Sequence, residues 1–557
     1  MLGRIAMKRN REAGQSLILV AVVMVMLIGI MGFAVDFGYY RFLRRQLQTA
    51  ADAAALAGAM DITYGDFSTA GAAAAAENGF TGTVSCANQK PATGTISICI
   101  QSPPQNMSAV GFSTPFTGSG YKNYVQAVIQ DNAAPTFFSK IFNGTAPSIS
   151  ATAIAEGGLN CIYGLDTGNG ALSMFLSIVS STCGVVDNDN LNLTLAALCA
   201  PSIQLVGSQT GIFGLSCTGG FNRAKVVKIA SAVADPFCQT GASCLPAPSP
   251  GLLPTCSGAK GTYTVTNQAT GPALTAALTT IAGYCTGITI TGSGTAAHPV
   301  TFAPGNYMGP IKIVNSYVTF TGGTMASVFN VNSASQPGLN IASNNLFGGS
   351  TVLFQAATYT IAGGLSDAGS FGSYINFNST TGQASLMILD GGGLKLVGNS
   401  GASGSAGQST GGITFYNTGT AAGACVTCYG PITSYFNFSG TFCGAGCNLT
   451  APTTGTYAGI LFFQDRNDTS TSTCAFGAAA SACFGASSGI SGPVAHTGAY
   501  YFPSGTVDFD FNFGAGAPYT YLIAKDANWY VNFQFNSNYA SLPTSFPLRQ
   551  GAAVLVQ

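Results

Sequence analysis

The stretch "PIKIVNSYVTFTGG" (310–323) holds two four-residue runs, "IKIV" and "YVTF", split by Asn315 and Ser316 and closed by Gly322 and Gly323. Short alternating runs of β-branched and aromatic residues, bounded by Asn, Ser and Gly, are what strands joined by tight turns look like. The texture continues outward on both sides: "VTFAPGNY" (300–307), "SVFNVNS" (327–333), "GLNIAS" (338–343), "STVLFQ" (350–355), "ASLMILDGGGLKLVGNS" (384–400) and "GITFYNTG" (412–419). No amphipathic helix intervenes, which excludes a βαβ arrangement. So many short strands predict a barrel, a two-sheet sandwich or a parallel β-helix. The recurring Gly, short strand, then Asn or Gly favours a right-handed parallel β-helix, in which inward Val, Ile, Leu and Phe stack coil upon coil. A β-sandwich is the alternative, and the repeat period is irregular.

Composition narrows the setting. The chain has 557 residues, enough for several cores, yet only 7% are charged and the net charge is zero. Lys and Arg are too scarce beyond Arg45 to form a basic footprint for nucleic acid. With 47% hydrophobic residues, including 36 Phe and 22 Tyr, the chain buries a core rather than staying disordered. All 16 cysteines lie between Cys86 and Cys483. In an exported chain that pattern reads as disulfides, with local pairs Cys86–Cys99, Cys238–Cys244 and Cys474–Cys483 expected from spacing. The "CVTC" pair Cys425 and Cys428, with Cys443 and Cys447 of "CGAGC", has spacing that would also suit zinc. An oxidising compartment removes the thiolates zinc needs, so these four are taken as disulfide candidates and no metal is expected.

The N-terminus explains the export. Residues 17–35 are uncharged and mostly apolar, with Leu17, Val20, Val25, Ile30 and Val35 marking the run. As a helix they extend about 28 Å, enough to cross a bilayer core. Arg4, Lys8, Arg9 and Arg11 precede the run, and Arg41, Arg44 and Arg45 follow it. That small excess favours a cytoplasmic N-terminus, as the cysteines do. The Ala-x-Ala sites of "LQTAADAAALAGAM" (47–60) resemble a secretory cleavage site, but they begin well past the run, behind three arginines. An uncleaved anchor is expected. Leu43, Leu47, Ala50, Ala54 and Ala57 recur at helical spacing, so the helix continues outward and offers an apolar stripe to its own domain or to another subunit.

This N-terminal text resembles TadE/TadG-like proteins of the bacterial Tad (tight adherence, Flp pilus) system. The resemblance is carried by the apolar segment, Asp36, Gly38, Leu47, Gln48 and the block Ala50–Ala51–Asp52–Ala53–Ala54–Ala55–Leu56–Ala57. It continues through residues 121–158, where a strand, a short Phe-rich helix and an Ala/Thr-rich strand look like the end of that domain. Pro135 would open that helix, Phe137, Phe138, Ile141 and Phe142 would face inward, and Gly144 would end it. Gly14 sits where prepilin-like members are cut, but Leu19 replaces the glutamate expected at the fifth position after it. The outer region resembles that of some TadG-like proteins through "FAPGNYMGPIKI", "GGITFYNTG", "LTAPTTGTYAGILFFQDRND" (449–468) and "GAYYFPSGTVDF" (498–509).

The expected organisation is therefore multidomain, α+β and mainly β. A basic cytoplasmic leader (1–15) precedes a transmembrane helix (16–60) and a small pilin-like α/β domain (61–158). A β-rich region (159–557) follows, with a proline- and cysteine-rich excursion at about 221–285.

Chemistry is hard to place on this sequence. A polysaccharide lyase or hydrolase on a β-helix is the rival reading, and it needs positioned acids. "QDRND" offers Asp465, Arg466 and Asp468, and Asp390 precedes three glycines; the simpler reading is an Asp–Arg pair pinning a loop. His298 and His496 lie far apart in the sequence and suggest no triad. The Gly-rich stretches lack the lysine and helix of a phosphate loop. The expectation is a single-pass protein of a bacterial cell membrane, its C-terminal bulk in the periplasm or outside the cell. It would be non-enzymatic, would need no cofactor, and would serve Tad/Flp pilus assembly or adhesion. Its partners would be the inner membrane, other Tad proteins or minor pilins and surface glycans, with no nucleic acid.

Overall fold

A computed structural model describes residues 13–62, 66–84, 86–87, 90–91, 95–115, 117, 124–138, 140, 147–157, 160–168, 170–200, 202–218, 222–223, 226–229, 231–238, 244–250, 253, 260–274, 283–333, 337–342, 349–367, 373–399, 409–419, 432–437, 449–474, 479–486, 496–509, 519–530, 532–535, 542–543, 546 and 553–555. Two compact units emerge: 1–159 with 550–557, and 160–549.

In the first unit one helix, α1 (Ala13–Asp61), runs from the apolar segment through the alanine block, and α2 (Phe67–Glu77) packs beside its outer end. Alanine, the strongest helix former, and the lack of proline keep α1 continuous. The sheet has the order Thr83–Val84, Ile96–Gln101, Tyr124–Asp131, Ile149–Gly157 and Ala553–Leu555. Its first pairing is parallel and the other three antiparallel. The chain's last strand thus completes a sheet begun near its start, and residues 160–549 are inserted before it. Leu47, Ala50, Ala54 and Ala55 of α1 form a core with Ile98, Ile100, Val125, Ala127 and Ala153 of the sheet. Small residues let the helices come close: a Cβ on Gly71 of α2 would lie 2.8 Å from the Ala54 carbonyl oxygen.

The second unit is a parallel β-helix with three faces. One face stacks Ile288–Thr291, Ile311–Val314, Leu339–Ala342, Leu365–Asp367 and Leu394–Asn399, each parallel to the next. A second stacks Gly305–Tyr307, Val328–Val331, Thr358–Ala362, Ser385–Asp390 and Ile413–Thr418. A third stacks Ala273–Leu274, Val300–Phe302, Tyr317–Phe320, Thr351–Phe354 and Tyr374–Asn376. Parallel pairing throughout this stack replaces the sandwich alternative. Phe302, Phe320 and Phe354 stack face to face with centroids 4.7 and 4.8 Å apart, and Phe377 follows at 5.7 Å. The closer spacing equals the distance between strands, so one aromatic per coil fills the interior without a gap.

The order of coils does not follow the sequence. Thr520–Trp529, near the C-terminal end of the unit, pairs in parallel with both Asn160–Gly164 and Leu172–Phe175 at its beginning. Three coils, from 160 to 218, continue the stack beyond that seam. The stack therefore starts at Tyr263–Thr266, reaches Trp529 and ends with the N-terminal coils. Val226–Lys228 and Tyr263–Thr266 are themselves rungs, so the excursion foreseen at 221–285 is narrower, lying between them.

That intervening segment returns along the stack. Val233 exchanges hydrogen bonds with Asn188, 2.7 and 2.8 Å, beside a late coil. Asp235 then accepts from the Tyr501 hydroxyl, and the Phe237 ring lies 4.9 Å from that of Tyr501. Further on, the carbonyls of Leu245 and Pro246 accept from Arg466 and Tyr457 at 3.2 and 3.0 Å. Prolines suit such a strap, which has no sheet ladder to satisfy.

Candidate functional site

The residues foreseen as the anchor, Leu17, Val20, Val25, Ile30 and Val35, are all exposed on α1. The helix has an 18-residue window of mean hydropathy 3.0. So large an exposed apolar surface on one element is suited to lipid and costly in water. Further along, the helix turns inward: Leu43 is buried and Leu47, Ala50 and Ala54 are fully so, while Ala57 is half-buried. The stripe is thus used by the chain's own sheet.

The motif residues tie the two regimes together. Asp36 is 1% exposed, and its carboxylate accepts the backbone N–H groups of Phe137 at 3.0 Å and Phe138 at 3.1 Å. Gln48 donates to Asp52 at 2.7 Å and to the Thr152 carbonyl at 3.1 Å, linking helix to strand. Ala51 is buried, whereas a Cβ on Gly38 would meet nothing within 4 Å. Phe137 and Phe138 differ from expectation. They lie in bends and are 55% and 38% exposed, with Phe137 edge-on to Tyr39 and Phe138 against Gly32. Both rings pack on α1 beside its exposed apolar segment instead of turning into a core of their own. Ile141, Phe142 and Gly144 lie outside the described residues.

Disulfides join Cys86 to Cys99, Cys238 to Cys244 and Cys474 to Cys483, and also Cys161 to Cys183 and Cys199 to Cys217. Cys199 and Cys217 are in-register partners on adjacent rungs, so this bridge staples coil to coil. Cys425, Cys428, Cys443 and Cys447 lie outside the described residues.

The acids of "QDRND" build a turn. Asp465 accepts from Thr418 at 2.7 Å, from Tyr416 at 3.1 Å and from the N–H of Asn467 at 2.9 Å. Asp468 accepts from Asn417 and from the N–H of Ser470, both at 2.9 Å, and burial pushes its carboxyl above the usual range. Asp390 pairs in register with Thr418, whose strand pairs in turn with the one that ends at Gln464, so Asp390 lies two rungs from Asp465. All three acids are buried. Arg466 lies over the Tyr501 and Phe463 rings at 5.2 and 5.8 Å and holds the strap. The pair's role here is to fix the loop and clamp the returning segment, and the clamp needs a contact distant in sequence.

His496 is buried among Phe462, Phe484 and Tyr500, its Nδ1 2.6 Å from the Tyr500 hydroxyl. Burial lowers its pKa to about 3, so it is neutral at any physiological pH. His298 is exposed in a turn. Among the described residues no cluster of His, Cys, Asp or Glu is arranged to hold a metal ion.

One surface was not legible in the sequence. Leu176, Leu195 and Phe213 follow successive rungs of one face, all with positive φ of 51, 51 and 55°, and all exposed. The same turn in earlier coils holds Asn267, Gly292 and Asn315, residues that tolerate this conformation. Bulky apolar side chains thus stand outward at positions where the backbone would prefer Asn or Gly.

Comparison with known proteins is confined to the anchor. Residues 14–61 match the family model for TadE/G-like Flp pilus assembly, a span that coincides with α1. No curated protein and no solved structure matches the chain. Over residues 14–61 the long helix is thus similar to the TadE/G-like Flp pilus-assembly family.

Proposed function

We propose that this chain is a membrane-anchored, non-enzymatic component of the Tad/Flp pilus apparatus, whose β-helix makes assembly or surface contacts outside the membrane. The observation that carries the proposal is the division of α1. One half is an exposed apolar surface, and the other is locked by Leu47, Ala50 and Ala54 into its own sheet. A helix built in this way transmits position from a bilayer to a folded unit. Partner pilins would meet it through the exposed apolar half, because the small-residue stripe is already occupied. The β-helix adds a neutral surface, and Leu176, Leu195 and Phe213 offer an exposed ladder for protein contact.

Deletion of the chain from its host, with surface pili and adherence scored beside glycan cleavage by the purified protein, tests this reading. Loss of pili without any glycan cleavage is expected. Cleavage of neutral or acidic polysaccharides, abolished in both Asp465→Ala and Arg466→Ala, would overturn it in favour of a tethered polysaccharide-active enzyme.

A further inference from the structure

Where α1 leaves its apolar segment, an open cleft of about 480 Å³ lies between the helix and the sheet of the first unit. Phe37, Tyr40, Arg41 and Arg44 line it from the helix, and Ser148 and Ser150 from the start of strand Ile149–Gly157. Arg41 and Arg44 are three residues apart, hence neighbours on one helix face. Among the described residues no carboxylate forms an ion pair with either, although every acid of the first unit's sheet is close in sequence to a strand end. Arg41 lies over the Phe37 ring at 4.8 Å and lines the cleft.

Depth identifies the ligand. Arg41 is six residues beyond Val35, the last of the uncharged run, so about 9 Å further along the axis. The headgroup layer is roughly 5–8 Å thick on each side of the hydrocarbon, and arginine side chains bend back towards it. Two guanidiniums with the Ser150 hydroxyl opposite suit a phosphate, the Ser148 hydroxyl being held by Asn132 and Gln130, and the flanking Phe37 and Tyr40 suit the adjoining ester and acyl region.

We propose that this cleft binds the phosphate of an anionic phospholipid in the leaflet from which α1 emerges, fixing the depth and rotation of the helix. The proposal rests on α1 crossing a bilayer.

The test uses the full chain extracted from membranes in detergent, with phosphatidylglycerol, phosphatidylcholine or inorganic phosphate added, and retained lipid read by native mass spectrometry. Phosphatidylglycerol should be retained over phosphatidylcholine, inorganic phosphate should not displace it at equal concentration, and Arg41→Gln or Arg44→Gln should each weaken retention about tenfold. Arg45→Gln, outside the cleft, should retain lipid like the wild type, and all three variants should keep the wild-type melting temperature without lipid. Equal retention of both lipids, displacement by phosphate alone, or undiminished retention in both cleft variants would overturn the proposal. A chain absent from the membrane fraction would overturn the anchor, and this site with it.

Discussion

Ile523 pairs in register with Tyr163, so the last complete coil of the β-helix is seated on the first strand of its unit. Trp529, the only tryptophan, lies on the same seam, paired with Met174 and stacked on Phe509 at 5.5 Å. It is fully buried. The seam joins elements at opposite ends of the unit's sequence, so neither part has a finished core without the other.

Trp529→Ala should therefore destabilise the whole β-helix, by about 3–5 kcal/mol. In the wild type, urea unfolding followed by tryptophan emission should coincide with loss of the β signal in circular dichroism. A tryptophan transition well ahead of the circular dichroism change would show that the seam opens independently.

Arg466→Ala should loosen the strap rather than the coil beneath it. It removes the hydrogen bond to Leu245 and the contact with Tyr501, worth about 1–3 kcal/mol together. The readout is limited proteolysis: cleavage between 231 and 260 should accelerate severalfold, while the strand core stays protected. Unchanged cleavage would mean that Val233, Asp235 and Phe237 hold the strap alone.

Leu195→Asn should stabilise the chain by about 0.5–1 kcal/mol, because Asn accepts the left-handed backbone that Leu tolerates poorly. The reverse change, Asn315→Leu, should cost about as much. Both are read from urea midpoints. A destabilised Leu195→Asn would show that the leucine makes packing contacts outweighing its backbone cost.

The contribution of Asp187 and Asp526 to stability should fall as the pH rises from about 4 to about 7, while that of His496, lowered by burial to about 3, rises over the same window up to its ordinary value. Burial, with Asp189 and Asp526 nearby, raises Asp187 from 3.8 to about 7, and burial beside Asp166 raises Asp526 from 3.8 to about 6. Between the ordinary and the raised values the folded chain holds protons that the unfolded chain has lost, so their contribution is full below about pH 4 and lost on the way to 7. Asp187→Asn should remove its share of this loss, turning the slope of stability against pH more positive between 4 and 7, and raise stability at pH 7.5 by on the order of 2 kcal/mol, measured by melting temperature against pH. An unaltered slope would contradict the assignment.

What the sequence disclosed was local. "IKIV" and "YVTF" are strands, Ile311–Val314 and Tyr317–Phe320, because alternation and turn residues act over a few positions. The irregular period arises because turns between equivalent rungs differ in length, so Ile311 and Leu339 are neighbours at one spacing and Leu172 and Leu191 at another. The bridges Cys161–Cys183 and Cys199–Cys217 become readable only once the coils are in register. The Ile523–Tyr163 closure depends on which strand edges remain open after the others have paired. Single-segment patterns carry no information on that. At the candidate sites, Asp36 and Gln48 stood out by motif, whereas their partners Phe137, Phe138 and Thr152 are distant in sequence and were invisible beforehand. "QDRND" was legible as an Asp–Arg pair pinning a loop, but the clamp of Arg466 on Leu245 was not.

The most direct measurement is the number of surface Flp pili on cells lacking this chain, complemented with either the wild type or a form whose residues 17–35 are replaced by a cleavable signal peptide. The account predicts few or no pili without the chain, recovery with the wild type, and no recovery when the β-helix is exported without its anchor. Normal piliation in the deletion strain, or full recovery by the unanchored form, would contradict it.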